Sequence, residues 1–186
     1  MIKITVLIGK TSSGKTTIAK ELVKKHGYHQ IVTFTSRPKR KGEKDGITYN
    51  YISEEDFKQR IEEGFFAEWK TYDTKFGTWY YGTALDDLKM ADAKTVIILT
   101  PDGYRDVKDK LPSNSKAIYI YANNATIKKR LVKRGDDKDE AERRLKYDNE
   151  DFKAIENEVD KIIYNNDGEK IEDVIKKIIA YLENNK

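Results

Sequence analysis

The 186-residue chain contains no cysteine, two histidines and three prolines. Without thiols it has no disulfide framework, thiolate zinc site, cysteine nucleophile or iron–sulfur ligation, and a cysteine-free chain fits a reducing cytoplasm. His26 and His29, the two histidines, flank a polar turn and are assigned no chemistry, which leaves few metal or triad reactions. Long apolar runs are missing too. Val6–Ile8 and Val96–Leu99 are among the longest, at about four residues or fewer, against the roughly 20 that span a bilayer, so no membrane span is expected. The opening MIKITVLIGK is interrupted at Thr5 and stops at Gly9, which reads as a first strand rather than a secretion signal. A dominant charge is also absent: 36 Lys and Arg against 32 Asp and Glu give +4, with signs interleaved as on solvated helix faces, so no nucleic-acid partner is expected. No low-complexity tract or fixed repeat points to a flexible linker. A chain of this length forms one domain, burying roughly 70% of the surface it would expose unfolded.

What is present is alternation. Strand-like runs at Ile2–Ile8, Gln30–Thr35, Thr95–Leu99, Lys116–Tyr121 and Lys161–Tyr164 are each followed by helical patterns. The first of these helices, Thr16–His26, carries Ile18, Ala19, Leu22 and Val23 on one face and stops at Gly27. This order predicts an α/β fold, a mostly parallel sheet with helices on both faces. Two stretches break the rhythm. Residues 33–83 hold a basic turn, a helix opened by Ser53-Glu-Glu-Asp56 and closed at Gly64, and aromatic strands at Phe65–Lys70 and Gly77–Tyr81, which read as an inserted α+β lobe. Trp69, Tyr72, Trp79 and Tyr80 alternate with polar neighbours and are expected in that lobe's core. Residues 127–153 open with a charged helical hairpin that offers little apolar face, expected to act as a lid. The remaining stretches, 1–32, 84–126 and 154–186, make up the core.

Directly after the first strand, Gly9-Lys10-Thr11-Ser12-Ser13-Gly14-Lys15-Thr16 satisfies GxxxxGK[ST] with a helix following. In that context backbone N–H groups and a helix N-terminus converge on one anion site. Lys15 is expected on the β- and γ-phosphates and the Thr16 hydroxyl on Mg²⁺, so these residues with Thr17 are the candidate triphosphate site. Arg37 and Arg40, on a turn constrained by Pro38 and Gly42, offer planar forks for a second phosphate.

TSRPKRKGEKDGITY, then FFAEW, then WYYGT, in that order behind the GxxxxGKT loop, resembles the guanylate kinase family. Arg130-Leu131-Val132-Lys133-Arg134-Gly135 and Ile163-Tyr164-Asn165-Asn166-Asp167 extend the likeness over nearly the whole chain. The resemblance implies a phosphate-loop kinase core with a monophosphate-binding lobe and a helical lid, transferring the γ-phosphoryl of MgATP to guanosine monophosphate (GMP). It implies that Arg37, Arg40, Tyr49 and Tyr81 hold the GMP phosphate, that Glu68 accepts from the guanine ring beside Thr33 and Thr83, and that Glu43 is an acid of the same lobe. By the same likeness Arg134 and Arg144 reach the triphosphate, and Asn165 falls near the adenine. Guanine presents adjacent N–H donors that one carboxylate can accept from; adenine presents an acceptor there.

Lys10 and Ser12 stand where that family has Pro and Gly, and a few extra residues separate Glu68 from Tyr81. After the third core strand Ile98-Leu99-Thr100-Pro101-Asp102 replaces two aspartates of the family. Asp102 is left with two readings, a metal contact through water or a cap for a helix starting near Gly103. Other readings of the whole also stay open: a kinase for another nucleotide or a phosphosugar, or a guanylate-kinase-like binding module without catalysis. Oligomeric state has no signature in the sequence.

Overall fold

The computed structural model describes residues 2–74, 76–137, 139, 142–143, 145–146, 148 and 152–185. β1 (Ile4–Ile8), buried along its whole length, lies at the centre of a five-stranded sheet. Its neighbours are β7 (Thr95–Ile98) and β8 (Lys116–Tyr121), flanked by β2 (His29–Gln30) beyond β7 and β9 (Lys161–Tyr164) beyond β8. Every pairing is parallel. A sheet buried on both faces wants apolar residues at every position, and alternation sorts them to two layers. Leu7, Val96, Ile118, Ile120 and Ile163 face α1 (Lys15–His26) and α6 (Ile171–Asn184). Ile4, Val6, Ile8, Ile97 and Tyr119 face α3 (Leu85–Lys89), α4 (Pro101–Val107) and Phe152. Each fully buried Ile or Leu contributes roughly 1.5–3 kcal/mol. Val23, expected on the core face of α1, is 41% exposed; Ile18, Ala19 and Leu22 carry that contact.

The run expected as one strand over Gln30–Thr35 is two. β2 pairs with β7 in the core sheet, while β3 (Phe34–Thr35) pairs with β6 (Gly77–Ala84) in a second, four-stranded sheet. The chain leaves one sheet for the other across residues 31–33, a step that apolar pattern alone does not mark. The second sheet runs β4 (Asn50–Tyr51), β3, β6, β5 (Phe66–Thr74) and is covered by α2 (Glu54–Glu62). Ser53 caps α2 by accepting from the Asp56 amide, as its sequence predicts. Phe57, fully buried on α2, stacks on Phe66 at 4.3 Å and meets Tyr80 at 5.4 Å, which makes this lobe's core. Trp69 is instead 42% exposed.

α5 (Asn124–Arg134), capped by Asn123, opens the segment expected to be a lid. It has more apolar face than its charge suggests: Ile127 and Leu131 are buried with Ala122 and Leu145. The rest of that segment lies partly outside the described residues, Arg144 among them.

Gly82 is where the lobe packs most closely, since a Cβ there would stand 2.9 Å from both the Phe57 and Phe66 rings. Gly82→Ala is therefore expected to cost about 1–3 kcal/mol through overpacking. Urea unfolding followed by circular dichroism measures it, and an unchanged midpoint would contradict this packing.

Candidate active site

The loop after β1 folds around its own lysine. The Lys15 ammonium donates to the carbonyls of Gly9 and Lys10, the latter at 2.9 Å. Gly14 precedes α1 with φ 104°, and a Cβ there would fall 2.3 Å from the Asn165 amide nitrogen, so glycine is required on both counts. Asn165, 4% exposed, donates from Nδ2 to the Ser13 carbonyl at 2.7 Å. Its amide is thus spent on the loop itself. Arg130 donates to the Ser12 carbonyl at 3.2 Å and the Asn165 carbonyl at 2.9 Å. Ser12, at the place of a family glycine, adopts φ 54°, a left-handed conformation costing a non-glycine residue roughly 1–2 kcal/mol. Burial lowers the Lys15 ammonium to about 8, with Asp148 opposing and Arg134 adding to the fall.

The other wall of the site comes from the β5–β6 hairpin. Phe66 pairs with Ala84, but Glu68 already pairs with Thr83, so a bulge at Ala67 re-aims the strand. From there alternate residues face one cleft: Glu68, Lys70, Tyr72 and Thr74 on β5, Trp79 and Tyr81 on β6. Tyr72 and Trp79, expected in the lobe core, therefore line the cleft. Period-2 alternation separates two faces without naming which is wet, and here both carry aromatics. Glu68 is 9% exposed and accepts from the Thr83 hydroxyl at 2.6 Å. Gly103 of α4 leaves it room, since a Cβ there would stand 3.1 Å from Glu68 Oε2. Burial raises the Glu68 carboxyl above its ordinary range, against the Thr83 hydroxyl, and Asp106 adds to the rise.

The same cleft is lined by Gly9, Thr11 and Lys15 from the loop, by Thr33 and Tyr49, and by Thr100, Pro101, Arg143 and Asp148. Arg37, Arg40 and Glu43 are not on its wall. Arg37 is 3% exposed, and its Nη2 donates to both Glu43 carboxylate oxygens at 2.9 Å. Tyr49 and Tyr51 lie 5.5 and 5.8 Å from its guanidinium. Glu43 also accepts from the Arg40 amide and the Tyr51 hydroxyl, each at 2.7 Å. Against the upward push of burial, those two donors and Arg37 hold its carboxyl below the usual range. Burial pushes the Tyr49 hydroxyl up to about 12, which keeps it a neutral donor. Arg134 pairs with Asp136 at 2.5 Å.

At the end of β7 the helix cap is Thr100, whose hydroxyl accepts from the Gly103 amide at 3.1 Å, and not Asp102. Asp102 pairs with Arg105 at 2.9 Å, which Glu158 holds from the other side at 2.6 Å. It does not line the cleft. Thr16 and Thr17 stand exposed on the first turn of α1. Among the described residues no group of three or more His, Asp or Glu is placed to hold a metal.

Sequence reading missed Arg130, Lys70 and Asp148. Arg130 had a signal, its helical i,i+4 spacing to Arg134, and Lys70 follows Glu68 by the strand period of two. Asp148 had none, because its bond to the loop spans 137 residues.

Comparison with known proteins gives one family. The guanylate kinase family model matches residues 1–184. A guanylate kinase of Helicobacter pylori is 34% identical over 182 residues, covering 95% of this chain and 86% of its own. One of Prochlorococcus marinus is 32% identical over 186 residues, covering 97% of each. The crystal structure of guanylate kinase from Anaplasma phagocytophilum superposes with a TM-score of 0.72 at 25% identity, covering 97% of this chain and 84% of the other. With a phosphate loop and a buried carboxylate facing one cleft on this shared fold, the chain belongs to the guanylate kinase family.

Proposed function

We propose that this protein transfers the γ-phosphoryl group of ATP to GMP, giving ADP and GDP. One observation supports the reading: the Lys15 loop and Glu68, which the buried Thr83 hydroxyl holds from behind, line the same cleft, so ATP and a guanine nucleotide can be held together in it. Glu68 accepts from the adjacent N–H groups of guanine, and its desolvation is offset when those donors arrive. Adenine offers an acceptor there and would leave a buried carboxylate unpaired. Thr33 borders the base, with Tyr49 and Tyr81 toward the monophosphate.

Arg37 and Arg40 neutralise that phosphate, Arg37 exchanging part of its hold on Glu43 for a phosphate oxygen. Arg134 and Arg144 act on the triphosphate from the lid, and Arg130 and Asn165 keep the loop in shape. An oxygen of the GMP phosphate, already ionised at neutral pH, attacks the γ-phosphorus as the bond to the β–γ bridging oxygen breaks. No general base is needed, so the protein positions both groups, balances charge and excludes water.

Thr16 stands exposed beside Lys15 on the first turn of α1, and its hydroxyl would hold Mg²⁺, an ion usually bound by substrate phosphates, waters and few protein oxygens. The metal would neutralise charge on the transferring phosphates.

The test is ADP formation against a panel of nucleoside monophosphates. GMP is expected to be the preferred acceptor, and Glu68→Gln to lose about 2–4 kcal/mol of transition-state stabilisation with discrimination against AMP falling. An unchanged GMP preference in that variant would displace the base from Glu68. Absence of turnover with every monophosphate would favour a non-catalytic binding module.

Arg37→Lys is expected to weaken GMP binding while ATP binding stays near wild type, because an ammonium cannot supply a planar fork. Isothermal titration with each nucleotide decides, and equal losses for both would contradict the assignment.

ATP affinity should also depend on pH through Lys15. Its ammonium titrates near 8 in the empty loop, and a bound triphosphate raises that value, so binding takes up a proton between the two. Affinity is then constant below pH 8 and falls above it, approaching tenfold per pH unit. Titrations from pH 7 to about 9.5 measure this, and Lys15→Arg should flatten the profile. A flat wild-type profile would mean the lysine stays charged throughout.

A further inference from the structure

We propose that Asp148 occupies the terminal-phosphate position of the loop and thereby sets the protein's relative affinity for ATP and ADP. The proposal rests on the reading of the loop as an ATP site. Its Oδ2 accepts from the Thr11 amide at 2.5 Å, and Asp148 lines the cleft with Gly9, Thr11 and Lys15. Thr11 follows Lys10, whose carbonyl receives the Lys15 ammonium. The lysine of such a loop reaches the β- and γ-phosphates, so the Thr11 amide lies at the outer end of the triphosphate, while the amides opening α1 take the inner phosphates. A carboxylate there presents to the same amide and ammonium the kind of oxygen a γ-phosphate would. Asp148 also acts on Lys15 directly, its charge opposing the fall that burial imposes. The contact is no accident of a local turn, because 137 residues separate the partners.

The Thr11 amide has a single hydrogen, and Asp148 Oδ2 already accepts it, so a phosphate oxygen takes it only by exchange. A triphosphate must displace the carboxylate, whereas a diphosphate ends one group short and can leave it in place. Apparent ATP affinity is then the intrinsic affinity multiplied by the fraction of molecules with Asp148 withdrawn. Once the γ-phosphoryl group has moved to the acceptor, the carboxylate returns to the position it vacated.

Full-length Asp148→Asn and Asp148→Ala, titrated calorimetrically with ATP and with ADP at fixed Mg²⁺ and ionic strength, test this. ATP is expected to bind about tenfold tighter to both variants, and ADP to change less than about twofold, as for a loop whose outer position is occupied some nine-tenths of the time. An unchanged ATP-to-ADP ratio overturns the proposal, and so does weaker ATP binding, which would make Asp148 a helper of the bound nucleotide. Wild-type protein that binds neither nucleotide overturns the ATP site itself. The native protein supplies a readout that needs no substitution: the Thr11 amide resonance should shift on adding ATP and stay nearly fixed with ADP, and equal shifts for both would also count against the proposal.

Discussion

The site depends on what is done with backbone carbonyls. A loop presents its N–H groups to an anion only if the opposite ends of those peptides find donors elsewhere, because a buried unpaired carbonyl costs as much as the contact is worth. Here the carbonyls of Gly9 and Lys10 take Lys15, that of Ser12 takes Arg130, that of Ser13 takes Asn165, and that of Gly14 takes the Ile18 amide. Donors from two distant parts of the chain, with Lys15 and Ile18 from close by, thus hold the loop open from behind. The Gly9 and Lys10 carbonyls let Lys15 tolerate burial without a phosphate, while burial itself is what loosens its proton. The arrangement also explains how Ser12 can stand in a left-handed conformation without glycine: the peptides on either side are fixed.

The lobe solves a different problem, that of keeping one carboxylate dry and another paired. Glu68 sits low on a strand that a bulge has turned, with Thr83 donating and Gly103 leaving room. Glu43 lies under Arg37 and is satisfied by Arg40 and Tyr51 as well. One acid is left short of donors and the other is supplied in excess. That contrast separates a carboxylate kept for a ligand from one that orients an arginine. The end of β7 makes the same economy with charge: a threonine serves as cap, and the nearest acid is tied to Arg105, which Glu158 also holds.

Much of this was legible in the sequence because it is local. The loop, its lysine and the Ser53 cap all follow from residues within a few positions of each other, whereas Glu68 beside Thr83 came from the family resemblance, since a bulge interrupts the strand period there. The split of the run at residues 30–34 was not legible, since β-branched and aromatic residues suit either sheet and only pairing partners separate them. Tyr72 and Trp79 were misread for a related reason: a lobe one sheet thick has no face that composition alone identifies as core. Asp148 was not legible at all, and for Arg130 and Asn165 the sequence could mark the residue but not the carbonyl it meets, because these contacts span more than a hundred residues.

Those long separations have a consequence for how the molecule is made. Ser13 and Asn165 lie 152 residues apart, and Asn165 follows directly on β9, the last strand to join the core sheet. A ribosome therefore releases the phosphate loop early and its supports late. Until β9 docks, the Ser13 carbonyl lacks its side-chain donor. Nucleotide bound at the loop is therefore expected to stabilise the chain more once β9 is in place than before it.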